Sequence, residues 1–335
     1  MENAFEKYMS NFVNVNEVEL YRIIKYQLGW ADEYGNETNY KDMPIRPYPA
    51  VTLRLAQIFT DKSKFCYPFA TAIEILANSW FVHGDVQNGI TERNGRSSVW
   101  WVWGPAQSIN TGDGLHALGR LALLDNKFGL SEGIILTSLK VFDSAYLTLC
   151  EGENLDISYQ EAPLLSEDDF LKMLQKRSGA LFGCAFQLGY IGGNSAKKSS
   201  LDGELLKQFQ ELGVFYGMKR ELNEEKKLLS NESLVPPELF QRFSSKKKNL
   251  FVVYLLNNSD VSVKRKIGEM YLKRVLEETD RKDIISLVND STFDEFFEHK
   301  KESIQKSSIE LIDNMRLETD EKEQILSLIL EDAIT

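Results

Sequence analysis

The chain has 335 residues, 43% hydrophobic and 27% charged, the make-up of a soluble globular protein with a real core, and one domain over 1–335 is the expected count. A net charge of −11 and a pI near 5.0 argue against a nucleic-acid groove or an anionic membrane surface as the main partner. Any anionic ligand therefore needs a local basic pocket.

Cys66, Cys150 and Cys184 are scattered without a metal-ligand spacing and read as buried free thiols of a reducing compartment. The opening residues, MENAFEKYMSNF, lack the basic start and apolar run of a secretory signal. No uninterrupted run reaches the roughly 18 apolar residues of a membrane span. A cytoplasmic protein without a membrane span is expected.

In chain order, Asp32 to Pro49 reads as a loop rich in Gly, Asn and Pro. Val51, Leu55, Ile58 and Phe59, then Phe69, Ile73, Leu76 and Trp80, follow the spacing of two amphipathic helices. Ser98 to Asp125, rich in Trp, Ala and Leu, reads as one long buried helix with Trp100, Trp101 and Trp103 in the core. Met173 to Gly189 reads as another, whose small residues Ser178, Gly179, Ala180, Gly183 and Ala185 admit a close partner helix. Gly192 to Ser200 and Leu229 to Asn249 read as loops, and 221–245 as a flexible or lid segment. From Val261 to the end the pattern is charged amphipathic helix, with Ile325, Leu328 and Ile329 on one face. The expected fold class is all-α.

The most informative stretch runs from Ala72 to Leu118. His83, Asp85, Arg93, Gly95, Asn110, Gly112, Asp113 and Leu115 fall there without a gap at the spacings of H-D-D-x-x-D, R-R-G-x-P and A-x-x-x-G-D-x-L. Weaker echoes keep the same order: Ile45-Arg46-Pro47 for the end of G-G-K-R-L-R-P, Arg177-Ser178-Gly179-Ala180-Leu181-Phe182 for K-T-G-A-L-F, and Lys248-Asn249-Leu250-Phe251 for a later K-T-L-P. On these motifs, residues 35 to 260 resemble the trans-isoprenyl diphosphate synthases, or polyprenyl synthetases. The resemblance implies a bundle of helices around a deep apolar cavity with diphosphates at its mouth. It also implies a homodimer, or a heterodimer with a related synthase.

The family ionises an allylic diphosphate with Mg²⁺ held by carboxylates, since a hard cation prefers oxygen ligands and bridges phosphates. Here Gly84 and Asn88 stand at the outer aspartates of the first motif, and Asp85 alone keeps its carboxylate. The second motif reads Arg220, Glu221 and Glu224, or, shifted by one, Glu221 and Glu225 at i, i+4. Candidate metal residues are thus Asp85, Asn88, Glu221, Glu224 and Glu225, with Glu92 a further acidic neighbour if its stretch stays helical. Mg²⁺ binding is expected to be weakened or lost.

The resemblance places isopentenyl diphosphate against Met43, Arg46, Ala77 and Asn94, where one cation of four remains. Each missing contact removes on the order of 1.5–3 kcal/mol, so chain elongation is expected to be lost. Arg93, Arg177, Ser178, Arg220, Lys248 and Arg46 are the candidate diphosphate ligands. Trp80, Ala77 and Phe81 are the candidate pocket residues, and an indole at 80 would shorten the pocket. Gly189, Gly192 and Gly193 form a weak phosphate-loop candidate. Two readings stay open: a terpene-synthase-like or prenyl-transfer enzyme acting on one prenyl diphosphate, and a catalytically inactive paralogue that pairs with an active synthase.

Overall fold

The computed structural model describes residues 2–14, 16–38, 45–125, 127–195, 201–230 and 235–330. Two N-terminal helices, α1 (Glu2–Val13) and α2 (Glu19–Gln27), precede α3 (Pro47–Phe59) and α4 (Tyr67–Asn88). A two-residue hairpin, β1 (Glu92–Arg93) with β2 (Arg96–Ser97), turns the chain into α5 (Val99–Leu124), which packs along α4. Next come α6 (Glu132–Gln160), α7 (Glu167–Leu174), α8 (Ala180–Ser195), α9 (Gly203–Lys226) and α10 (Pro237–Ser244). The chain ends in α11 (Leu250–Asn258), α12 (Val261–Tyr271), α13 (Glu278–Asn289), α14 (Phe293–Asn314) and α15 (Thr319–Leu330). The all-α expectation holds, with the hairpin as its one described sheet.

The helices begin where short polar side chains can hold otherwise unpaired N–H groups. Ser166 Oγ accepts from Asp169 N at 3.1 Å to start α7, and Asp202 accepts from Glu204 N at 2.8 Å to start α9. At the centre, α8 buries every residue from Ala180 to Gly193 between α3, α6 and α9. Its glycines set that spacing. A Cβ on Gly189 would come 2.9 Å from Thr52 O, and one on Gly193 2.9 Å from Ala56 O, so these glycines seat α8 on α3 and do not form a phosphate loop. Ile325, Leu328 and Ile329 lie buried together against the same core, as their spacing predicts.

Several local expectations need correction. Glu92 is on a strand, not a helix, because Gly89 takes a left-handed conformation (φ 64°) that ends α4. The stretch read as one buried helix is α5, but it kinks at Gly104 (φ 81°) before Pro105, and Trp101 is 60% exposed. Cys150 is exposed, whereas Cys66 and Cys184 are buried. Gly192 and Gly193 belong to α8, and 196–200 lie outside the described residues. Within 221–245 the chain forms the end of α9, a 3₁₀ turn and α10, with 231–234 outside the described residues.

Among the described residues α6 is long and apolar enough, by length and composition alone, to cross a membrane. Counting unbroken apolar runs overlooks it because Thr137, Ser138, Lys140, Asp143 and Ser144 interrupt the run. Its inward face carries Glu153 and Asp156 into a buried ionic cluster. Its outward face leaves Leu136, Leu147 and Ile157 exposed, and α5, which packs against α6, exposes Ile109, Leu121 and Leu124.

Arg46 shows how far burial can commit a charge. Its Nη2 lies 2.6 Å from Glu6 and donates to Leu28 O at 2.6 Å, while Nη1 reaches Glu74 at 2.7 Å. Lysine cannot reproduce this fork, since one ammonium has a single centre for three separated acceptors. Arg46→Lys is expected to cost about 2 kcal/mol of stability, read as a lower urea midpoint at unchanged slope. An unchanged midpoint would show that the fork contributes nothing net.

Candidate functional site

A cavity of about 210 Å³ opens where the C-terminal end of α4, α6, the turn before α8, the end of α9 and α10 converge. Trp80, Phe81 and Tyr48 form its apolar side, with Trp80 and Phe81 rings 5.4 Å apart. Three arginines line it: Arg93 from the hairpin, Arg177 before α8, and Arg242 from α10. Five glutamates face them: Glu153, Glu221, Glu224, Glu225 and Glu238.

Arg177 sits in a single π-helical turn, Gln175–Gly179, between α7 and α8. Such a turn inserts one residue into the helix and re-aims a side chain. The backbone there is pinned by α6, because a Cβ on Gly152 would come 2.7 Å from Lys176 C. Arg177 Nε donates to Glu153 Oε1 at 2.7 Å, and Trp80 Nε1 donates to the same oxygen at 3.0 Å. Nη1 stands 3.5 Å from Glu221 but makes no hydrogen bond although buried. Asp156, one turn along α6 from Glu153, receives Lys247 at 3.0 Å and Arg242 at 3.3 Å.

Burial pushes the Glu153 and Asp156 carboxyls up, but Arg177 and Arg242 together outweigh it at both, joined by Lys247 at Asp156. Both stay below the ordinary carboxylate range. Burial likewise lowers Arg177, and its three carboxylate neighbours more than restore it. The cluster is therefore ionised and mutually dependent.

The structure brings Trp80, Phe81, Asn88, Arg93, Arg177, Glu221, Glu224 and Glu225 to this one cavity. It places the other candidates elsewhere. Arg46 is enclosed by Glu6 and Glu74, and Ala77 lies in the core. Asp85 is buried beneath Arg93, whose Nε and Nη2 hold Asp85 Oδ1 at 2.9 and 2.6 Å. Burial raises the Asp85 carboxyl, and Arg93 offsets this only in part. Ser178 donates to Glu221. Arg220 rests 5.8 Å from the Phe182 ring, and the Lys248 ammonium lies 4.0 Å over Tyr271, with its pKa lowered by burial to about 8. Met43 lies outside the described residues.

Glu153, Asp156, Arg242 and Lys247 escaped the sequence reading, and Asn249 entered it only within the echo of K-T-L-P. Two carboxylates at i, i+3 on a largely apolar helix were a usable signal for the first two. Arg242 carried none, because its segment read as a loop.

Among the described residues no group of three or more His, Cys, Asp or Glu side chains could hold a metal ion. The candidate metal residues explain why. Asp85 is bonded to Arg93 and Glu221 to Ser178. Glu224 is paired with Lys227 at 2.7 Å, and Glu225 accepts from Leu250 N at 3.2 Å. Burial, then Glu221, lift the Glu225 carboxyl to about 8. These positions do not fit a carboxylate-walled metal cluster.

The polyprenyl synthetase family model matches residues 45–220. The chain is 23% identical over 218 residues to a geranylgeranyl diphosphate synthase of Saccharolobus solfataricus, covering 65% of this chain and 64% of that protein. It is 33% identical over 129 residues to a geranylgeranyl diphosphate synthase of Mycobacterium tuberculosis, covering 38% and 36%. These matches span less than two thirds of either relative. In fold, it superposes on the crystal structure of a polyprenyl synthetase from Streptomyces coelicolor with a TM-score of 0.82 at 22% identity, covering 98% of this chain and 96% of that one.

Proposed function

Because the chain belongs to the polyprenyl synthetase family, we propose that it binds the diphosphate of a single prenyl diphosphate in this cavity and acts on it without isopentenyl elongation. The observation that carries the reading is Arg177, a buried guanidinium with an unbonded Nη1 at a cavity that Arg93 and Arg242 also line. Planar guanidinium donors hold phosphate oxygens in pairs and stabilise the charge of departing pyrophosphate in a dry site. The faces of Trp80, Phe81 and Tyr48 suit a developing allylic cation electrostatically. The positions expected for a second diphosphate offer Arg46, already enclosed by carboxylates, and the uncharged Ala77 and Asn94. The cavity is smaller than the roughly 300–1,000 Å³ of typical ligand sites, which favours a short prenyl chain.

A second reading is the inactive paralogue that supports an active synthase. It is favoured by the occupied carboxylates at both motif positions and by the uncovered apolar side of α5 and α6, which suits pairing with a second chain of this fold. Geranyl, farnesyl and geranylgeranyl diphosphates, each with and without Mg²⁺ and isopentenyl diphosphate, separate the two. We expect pyrophosphate release with an alcohol or hydrocarbon by mass spectrometry, fastest with geranyl diphosphate, and no elongated product. Binding without turnover selects the paralogue. An elongated product refutes the loss of elongation, and absence of both binding and turnover refutes the proposal.

A further inference from the structure

One stretch of this acidic chain has the opposite sign. Residues 261–276, α12 and the turn after it, hold Lys264, Arg265, Lys266, Lys273 and Arg274 against the single acid Glu269, in a chain of net charge −11. Two registers divide α12. Val263, Ile267 and Met270 pack into the core at i, i+4 and i+7, whereas Val261, Arg265, Gly268 and Leu272 recur at i, i+4, i+7 and i+11 on the opposite side. Val261 is 81% exposed and Leu272 86%, and a Cβ on Gly268 would meet nothing within 4 Å. Val275, in the turn, is also exposed. A lone exposed aliphatic needs no explanation, but three in one basic segment do. Lys266 and Lys273 meet Asp283 and Asp280 of α13 at 3.5 and 2.7 Å. The other cations are less committed. Lys264 Nζ donates to a carbonyl, Asn257 O, at 3.2 Å, and Arg265 reaches Glu269 across open surface at 3.3 Å. Arg274 is exposed and, among the described residues, pairs with no carboxylate.

We propose that this face docks the protein onto an anionic lipid surface, with Val261, Leu272 and Val275 entering the headgroup layer and Lys264, Arg265 and Arg274 meeting lipid phosphates. Basic side chains beside aliphatic tips suit such an interface, because their long stems lie along apolar surface while the charge stays among the headgroups. The overall negative charge does not forbid it, since charges beyond a Debye length of about 8–10 Å are largely screened. An acidic protein partner would match the cations but leave three aliphatic side chains against a charged surface. The position of the face ties it to the cavity. Ser244 Oγ donates to Leu276 O at 2.8 Å and Leu276 N donates to Ser244 O at 2.9 Å, which fastens the turn to α10. Leu239 and Arg242 of α10 line the cavity, so docking sets a cavity-lining helix directly behind the lipid contact.

The test is cosedimentation of the intact protein with vesicles of phosphatidylcholine alone and of equal parts phosphatidylserine and phosphatidylcholine. We expect binding to the anionic vesicles only, falling as salt rises. Arg265→Gln with Arg274→Gln should weaken it by about fivefold per charge removed. Leu272→Ser with Val275→Ser should weaken it by about tenfold or more at every salt concentration. All four side chains are exposed, so the urea midpoints of these variants should match wild type. Absence of binding to anionic vesicles, equal binding to neutral ones, or binding that neither pair of substitutions weakens overturns the docking surface. A mass in solution that falls in Leu272→Ser with Val275→Ser, while no vesicle binds, overturns it too and makes the face a contact between copies. Pyrophosphate binding in the cavity should be unchanged in every variant, so the docking surface and the proposed function fail independently.

Discussion

Arg177→Met is expected to lower stability by about 3–5 kcal/mol and to abolish pyrophosphate binding. Asp156 keeps Lys247 and Arg242, and Glu221 keeps Ser178, but Glu153 loses the one cation it pairs with among the described residues and retains an indole N–H. Its buried carboxylate is then left to desolvation and the neighbouring Asp156, with Arg242 opposing them, and its pKa rises above the unfolded value. In the wild type a depressed Glu153 contributes stability above the unfolded carboxylate pKa, and this is lost as pH falls. In the variant the sign reverses, and stability falls as pH rises through the neutral range. Denaturant midpoints at pH 5 and pH 8 should therefore diverge more in Arg177→Met than in the wild type. Arg177→Lys, which keeps one charge, should recover most of the stability and only part of the binding. A variant as stable as wild type at pH 8 would show that Glu153 is not ionised in the fold.

The fold was legible where one period explains a whole element. Phe69, Ile73, Leu76 and Trp80 define α4, and Ile325, Leu328 and Ile329 define the buried face of α15. In α5, by contrast, apolar residues surround the helix, so periodicity cannot say which side is covered. Ile109, Leu121 and Leu124 are exposed while Leu115, Leu118 and Leu123 are buried. The kink at Gly104 was signalled by Gly-Pro, but a helix-rich composition masks such a break.

The cavity was legible only in halves. Motif order pointed to Arg93 and Arg177, and the structure sets both on one cavity. What a motif cannot show is whether a charge is already committed. Arg46 and Asp85 stand at motif positions, yet their partners, Glu6 with Glu74 and Arg93, determine what else they can bind. Two of those partners, Glu6 and Glu74, lie far from Arg46 in sequence. Arg242 arrives from a segment whose polar composition resembles a loop.

The second large effect is expected at Glu225. Burial and the neighbouring Glu221 raise its carboxyl to about 8, against about 4.3 for an unfolded glutamate. Between these values the folded chain binds a proton that the unfolded chain does not, so stability falls as pH rises across that window and levels off above it. Glu225→Gln removes the titration while keeping an oxygen for Leu250 N, which now bonds Glu225 Oε2 at 3.2 Å. The variant should match wild type below pH 5 and exceed it at pH 9 by on the order of 3–5 kcal/mol. The same proton keeps one negative charge out of the cavity at neutral pH. Wild-type affinity for pyrophosphate should therefore weaken above pH 8, whereas that of Glu225→Gln should not. Parallel pH profiles for the two proteins would mean that Glu225 is ionised in the folded chain and that the cavity carries its charge throughout.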